Sequence, residues 1–393
     1  MTRSRKTLSN STQSGTPTSR ITATDKAFGD QLKINGVISV EAEAEEPADL
    51  ASMQGYINKA RRSESPEEKV FRNYRKEVSL SENEDEVKAS TWPILSKLPD
   101  APGYSYSLDL QWTEVESPLS TNICDPKPDR AEGFLKSEYP VSARENLGAA
   151  LAPTQYKLAM PRLCVEFKGP DGKLQVAKKQ CAYDGAIMVE AACEIQKYMN
   201  KDLADLFDTT QALTMAITEE NVHIYANHVV KKGSSLEYHQ YPLCKKVPTD
   251  SFANFKETCK MIRNAQDWAQ ERAAKTKDEL HAFVHAGDVG PTNLPQHTQH
   301  TPLGRSSQQP SSLNEVPDNA VEIYHQHAHR IFPDTSSKSS LSLDGTLDNA
   351  AEANYSTVNN GRYRLRGRRN GISKGRSEMP PLAPAPTPPS TTT

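Results

Sequence analysis

All three tryptophans of this 393-residue chain, Trp92, Trp112 and Trp268, fall inside one block, from about Glu67 to His285. The strongly patterned apolar sequence lies there too. From Gly287 onward the sequence becomes PTNLPQHTQHTPLGRSSQQPSS, too polar and too rich in Pro and Gln to offset the entropy of ordering it. The first 65 residues open on Ser, Thr, Lys and Arg and pass through EAEAEEPADL, an acidic stretch without aromatics. Composition agrees with this division. Hydrophobic residues make up 36%, or roughly 41% with the 19 Gly counted, below the about 45–50% of a wholly globular chain. The expectation is one folded domain over 66–286, a disordered arm over 1–65 and a disordered tail over 287–393.

Other classes fall away. No apolar run reaches the roughly 18 residues a membrane-spanning helix needs. The basic start has no apolar stretch of a secretory signal, and it lacks the amphipathic face of a transit peptide. The six cysteines form no CxxC pair, and several sit in apolar strings such as RLCVEF and VEAACEI. Buried free thiols in a reducing compartment are expected, hence an intracellular protein of nucleus or cytoplasm. The net charge of −3 specifies no partner.

Inside the block the pattern is α/β. Residues 67–98 read as helical with a break near Ser79–Ser81, and Pro93 weakens the second part. SYSLDLQW alternates as a strand. YKLAMPRLCVEFKG ends in a strong strand, followed by a Pro170-Asp171-Gly172 turn and an expected return strand over Lys173–Ala177. Gln180–Met199 is a helix with a face of small residues. LTMAITEENVHIYANHVV is a hairpin turning at Glu219-Glu220-Asn221, and SLEYHQYPL is a further strand. A long helix opens at Asp250, capped by Thr249 or Asp250.

Chemistry concentrates in two strings. Side chains alternate along a strand, so Glu166 and Lys168 of EFK share one face while Phe167 packs on the other. An acid beside a lysine at a strand end can hold a divalent metal next to a phosphate. One carboxylate is a poor Mg²⁺ site, and Asp129 of Pro128-Asp129, 37 residues upstream, can supply the second. The plainer roles are a solvated strand face for EFK and a turn cap for Asp129.

In order, PKPDRAEGF, CVEFKG and AKKQCAYDGA, closed by Asp267-Trp268, resemble the PD-(D/E)XK nuclease-like domain of unknown function found in many fungal proteins. The resemblance covers roughly 82–279. It implies a restriction-endonuclease-like core, a mixed central sheet flanked by helices. It implies Mg²⁺ held by Asp129 and Glu166, with Lys168 beside the phosphate. Gln180, opening the following helix, would lie near the metal. The family also places a Glu on its first helix, and of Glu82, Glu84 and Glu86 the Asn83-Glu84 pair fits best. The function implied is Mg²⁺-dependent hydrolysis of phosphodiester bonds in DNA or RNA. The alternative is a catalytically silent scaffold of the same fold that binds nucleic acid or protein.

Gly169–Lys173 lacks the spacing of a phosphate-binding loop, and no GxSxG occurs. His325, His327 and His329 read as a solvated tract. The segment Arg362–Arg376 holds seven Lys/Arg and no acid, which suits contact with a nucleic-acid backbone or nuclear import.

Overall fold

The alternating apolar strings become strands of one mixed sheet, and the helical-period strings cover both its faces. The computed structural model describes residues 20–287, apart from Glu116 and 155–157. The helices are α1 (Phe28–Ile34), α2 (Leu50–Asn58), α3 (Glu68–Leu80), α4 (Glu84–Leu95), α5 (Val141–Leu147), α6 (Leu174–Tyr198) and α7 (Phe252–Gly287). The strands are β1 (Val37–Ile38), β2 (Tyr104–Leu108), β3 (Arg130–Leu135), β4 (Leu158–Phe167), β5 (Ala212–Ile217), β6 (Val222–Lys232) and β7 (Ser235–Lys246). Their spatial order is β1-β7-β6-β5-β4-β3-β2. Only β4–β5 and β1–β7 pair in parallel; the other neighbours are antiparallel.

The alternation of β4 divides the core. Leu163, Val165 and Phe167 join Trp92, Leu95, Phe255 and Ile262 under α3, α4 and α7. Cys164 faces the other way, with Ala131, Ala186 and Val189 under α1 and α6. The small residues of α6 let it lie close on the sheet. Gly185 meets the Asn227 carboxamide of β6, and there is no room for a Cβ between them.

Four expectations change. Residues 20–65 are not a disordered arm. Phe28, Leu32, Met53 and Ile57 are fully buried, and β1 pairs with β7 at Val37–Tyr238. Asn264 Nδ2 on α7 donates to the carbonyls of Ile57 (2.9 Å) and Lys59 (2.8 Å), tying this segment down. Its elements are too short to show a period, and the acidic run between them masks their apolar pairs. Lys173–Ala177 is not a return strand. A parallel β4–β5 pair needs a crossover connection, and α6 supplies it from Leu174 rather than from Gln180. The strand around SYSLDLQW ends at Leu108, because Asp109 takes a left-handed backbone (φ 49°). The cap of α7 is Ser251, whose Oγ accepts from Asn254 N–H (3.1 Å), not Thr249 or Asp250.

The break between α3 and α4 forms where the sequence predicts it. Asn83 Oδ1 accepts from Glu86 N–H (3.0 Å), and the Glu86 carboxylate accepts back from Glu82 N–H (2.7 Å), a reciprocal cap. Pro93 stands inside α4 two residues before its end. All six cysteines are free, and Cys164, Cys181, Cys193 and Cys259 are buried. Among the described residues no helix is long and apolar enough to cross a membrane. The tail over 288–393, with His325, His327, His329 and the basic run, lies outside the described residues.

The sheet also buries His228 completely, and neither of its ring nitrogens has a hydrogen-bond partner. Burial, with His239 beside it, lowers its pKa to about 4. The unfolded chain therefore takes up this proton first. The stability that His228 contributes is whole above the ordinary value near 6.5 and is lost as pH falls from 6.5 towards 4. The expected loss is about 3 kcal/mol. Melts at pH 7 and pH 5 should show this acid limb, and a His228→Leu variant should lack that part of it.

Candidate active site

The site sits at the carboxyl end of β4. The register of β3 against β4 pairs Arg130 with Val165, so one step further Asp129 stands opposite Glu166. On the other side of β3, Leu108 pairs with Arg130, which sets Asp109 opposite Asp129. Three acids thus line up across three chain segments. Asp129 is held from two directions: its Oδ2 accepts from Phe167 N–H (2.6 Å) and its Oδ1 from Lys88 Nζ (3.0 Å). Lys88, on α4, bridges to Asp109 Oδ1 as well (2.9 Å).

Lys168 continues the β4 face beyond the last strand residue. Its Nζ lies 3.2 Å from Glu84 Oε2 and 3.8 Å from Glu166 Oε2, and it also donates to the Phe167 carbonyl. Of the three glutamates weighed on the first helix, Glu84 is thus the one that reaches this cluster, whereas Glu86 is spent on the helix cap. The close approach depends on Gly169. A Cβ there would stand 2.7 Å from the Glu84 nitrogen and 2.8 Å from the Asn83 carbonyl carbon, both backbone atoms. Gly169→Ala should push the start of α4 away and loosen the Glu84–Lys168 pair, at about 1–3 kcal/mol of stability by denaturant titration.

α6 closes the site from the helical layer. Asp184, only 2% exposed, sets its carboxyl group beside that of Glu166. Burial drives both groups up, Asp184 to about 8, and Glu166 is raised further by Asp184 and Asp129 beside it. Asp129 is raised by burial too, against the pull of Lys88. For both lysines burial works against the charge, but the acids around them outweigh it and their pKa values rise. Gln180 lies one turn before Asp184 on the same face of α6.

Asp129, Glu166, Lys168 and Glu84 are therefore brought together, with Gln180 on the adjoining turn. Sequence reasoning missed Lys88, Asp109 and Asp184. Asp184 carried a signal, an acid inside the run of small and apolar residues AYDGAIMV. Lys88 carried none, being one charge in the string SENEDEVKAS.

The donors suit a hard cation: carboxylate and amide oxygens with no thiolate or imidazole. Asp184 Oδ2 and Gln180 Oε1 are buried acceptors with no hydrogen-bond partner, and leaving such groups unpaired costs about 1–3 kcal/mol each. Among the described residues, however, no three His, Cys, Asp or Glu side chains converge closely enough to form a metal centre by themselves.

Fold and site together define a mixed α/β domain with a buried acid–lysine cluster at the end of a central strand. A family model, described as a domain of unknown function (DUF7924), matches residues 65–279, more than half of the chain, and the protein belongs to that family. No curated protein and no solved structure matches it.

Proposed function

We propose that this domain is a Mg²⁺-dependent nuclease with a restriction-endonuclease-like core of the PD-(D/E)XK kind, hydrolysing phosphodiester bonds in DNA or RNA. The reading is carried by one observation: Glu84, Asp129 and the Glu166/Lys168 pair, from three separate stretches of the sequence, meet at the end of β4. Asp129 and Glu166 would hold the ion, with Gln180 and Asp184 offering further oxygens. When bound, Mg²⁺ polarises the scissile phosphate and lowers the pKa of a water. The chain does the rest. Phe167 N–H and Lys88 fix the Asp129 carboxylate. Lys168 brings positive charge to the phosphate as negative charge grows on its oxygens. Glu84 steers the Lys168 ammonium. Nucleic acid would reach this cluster along the end of the sheet, with the basic segment Arg362–Arg376 adding contacts to its backbone. Action in the nucleus or cytoplasm fits such a substrate.

A second reading, the catalytically silent scaffold that binds nucleic acid or protein, has its own support. Lys88 and Lys168 already pair with Asp129 and Glu166 without any added ion. Incubation of the full chain with generic DNA and RNA, in Mg²⁺ and in EDTA, separates the two. Cleavage in Mg²⁺ alone supports the nuclease; intact substrate in both, with nucleic acid retained by the protein, supports the scaffold.

A further inference from the structure

A second polar site lies beside the middle of β4. Arg162, four residues before Glu166 and so about 13 Å away along the strand, is only 2% exposed. Buried charges are ordinarily paired. Arg162 is not: its Nη1 donates to the Gln211 carbonyl (3.1 Å), its Nη2 to Thr276 Oγ1 (3.4 Å), and its Nε–H has no acceptor. The nearest charged neighbour makes matters worse. Arg272 of α7 also points here, with Nη2 on Gln211 Oε1 (2.6 Å). Among the described residues neither guanidinium forms an ion pair of 4 Å or less, and burial, with Arg272 beside it, lowers the pKa of Arg162.

The two arginines line a cavity of about 510 Å³ between the C-terminal half of α6 and α7. Its charged lining is Arg162, Lys201, Arg272 and Lys275 against Asp205 and Glu279, a surplus of two positive charges. Glu279 is engaged by the lysines, at 2.9 Å from Lys201 and 3.9 Å from Lys275, and it acts on the two arginines only at longer range, so their charge is compensated in part.

We propose that this cavity binds a small ligand through a phosphomonoester group. A guanidinium fork matches the geometry of an oxyanion, and two forks in one pocket match a group with three terminal oxygens. Charge distinguishes the candidates. A phosphomonoester carries about −1.5 to −2 near neutral pH, which balances the surplus of two, whereas a carboxylate or a phosphodiester leaves one charge unmet. The volume is that of an ordinary small-molecule pocket, so the phosphate comes with an organic part of modest size.

The test is thermal melting of the full chain against inorganic phosphate, phenyl phosphate, methyl phenyl phosphate and acetate, with sodium chloride at matched ionic strength. Inorganic phosphate and phenyl phosphate should raise Tm by a few degrees and saturably, while the diester and acetate should bind at least tenfold more weakly. Arg272→Gln, a half-buried change, should weaken phosphate binding at least tenfold with the fold kept. Arg162→Met should raise the melting temperature of the ligand-free protein, because it removes an unpaired buried charge, and should abolish the phosphate response. No saturable shift in the wild type, or an undiminished one in Arg272→Gln, would overturn the site. Equal binding of the diester would overturn the monoester assignment and turn the pocket into a nucleic-acid contact. Cleavage plays no part in these readouts, so this inference and the nuclease reading fail separately.

Discussion

On the proposed nuclease reading, Lys168→Ala should lower Mg²⁺-dependent cleavage by about 10²-fold or more, with the loss in turnover rather than in substrate binding. The lysine stands 3.8 Å from Glu166 and 3.2 Å from Glu84, and on that reading it faces the phosphate oxygen that gains charge. Its charge is needed most when that oxygen is most negative, so its removal raises the barrier more than it weakens the ground state. The structure also bounds the effect on folding. Glu166 is already pushed towards its neutral form by burial and by Asp184, and Glu84 is partly open to water, so neither acid is left as a bare charge when the ammonium goes. A stability loss of about 1–2 kcal/mol is expected. A purely structural Lys168, neutralising buried acids, would instead cost about 3–5 kcal/mol on removal, with no activity to lose. Melts of wild type and variant, with and without Mg²⁺, belong beside single-turnover cleavage. A wild type that neither cleaves nor gains stability from Mg²⁺, together with a variant that melts far lower, would decide for the silent scaffold.

Which parts of this molecule could be read from sequence follows from the length of each pattern. β4 and α7 repeat their periods over 10 and 36 residues, and their apolar faces point where the alternation and the helical stripe say. β5 and β6 are announced by their hairpin turn. The segment over 20–65 offers only a two-residue strand and helices of 7 and 9 residues, so its buried pairs look like scattered apolar residues in a polar stretch. The start of α6 was obscured differently. Pro170-Asp171-Gly172 is a turn signal that serves a hairpin or a helix equally well, and only the parallel partner β5, some 40 residues on, decides between them. The site divides in the same way. Glu166 and Lys168 could be put on one face because a strand alternates, and Asp129 was joined to them by its motif. Lys88 and Asp184 belong to helices whose docking onto the end of β4 no local pattern records. Their partners are 41 residues away in one case and 18 in the other, and each is an ordinary charged residue until the fold closes.

Lys88→Met should be the most destabilising single change at the site, whichever function holds. Lys88 is 6% exposed and Asp129 7%, so their ion pair is shielded from water and from salt. Removing the ammonium leaves Asp129 buried opposite Asp109 and Glu166, with the Phe167 N–H and the more distant Lys168 to hold its charge. Breaking a buried pair from one side costs about 3–5 kcal/mol, which denaturant titration at pH 7 can read directly. Two controls make the cause plain. Asp129→Asn keeps an oxygen for the Phe167 N–H but carries no charge, so the double variant Lys88→Met/Asp129→Asn should be more stable than Lys88→Met alone, with a favourable coupling of about 1–3 kcal/mol. The second control is pH. Burial already raises the Asp129 carboxyl even with Lys88 present, and losing the lysine raises it further. A carboxyl whose folded pKa lies above its unfolded one is stabilising only while protonated, and that contribution is lost as pH rises through the folded value. The gap between wild type and Lys88→Met should therefore narrow as pH is lowered from 7 towards the ordinary carboxylate range. A gap that stays constant with pH, or a double variant no better than the single, would show that Lys88 acts through the packing of its methylene stem and not through its charge.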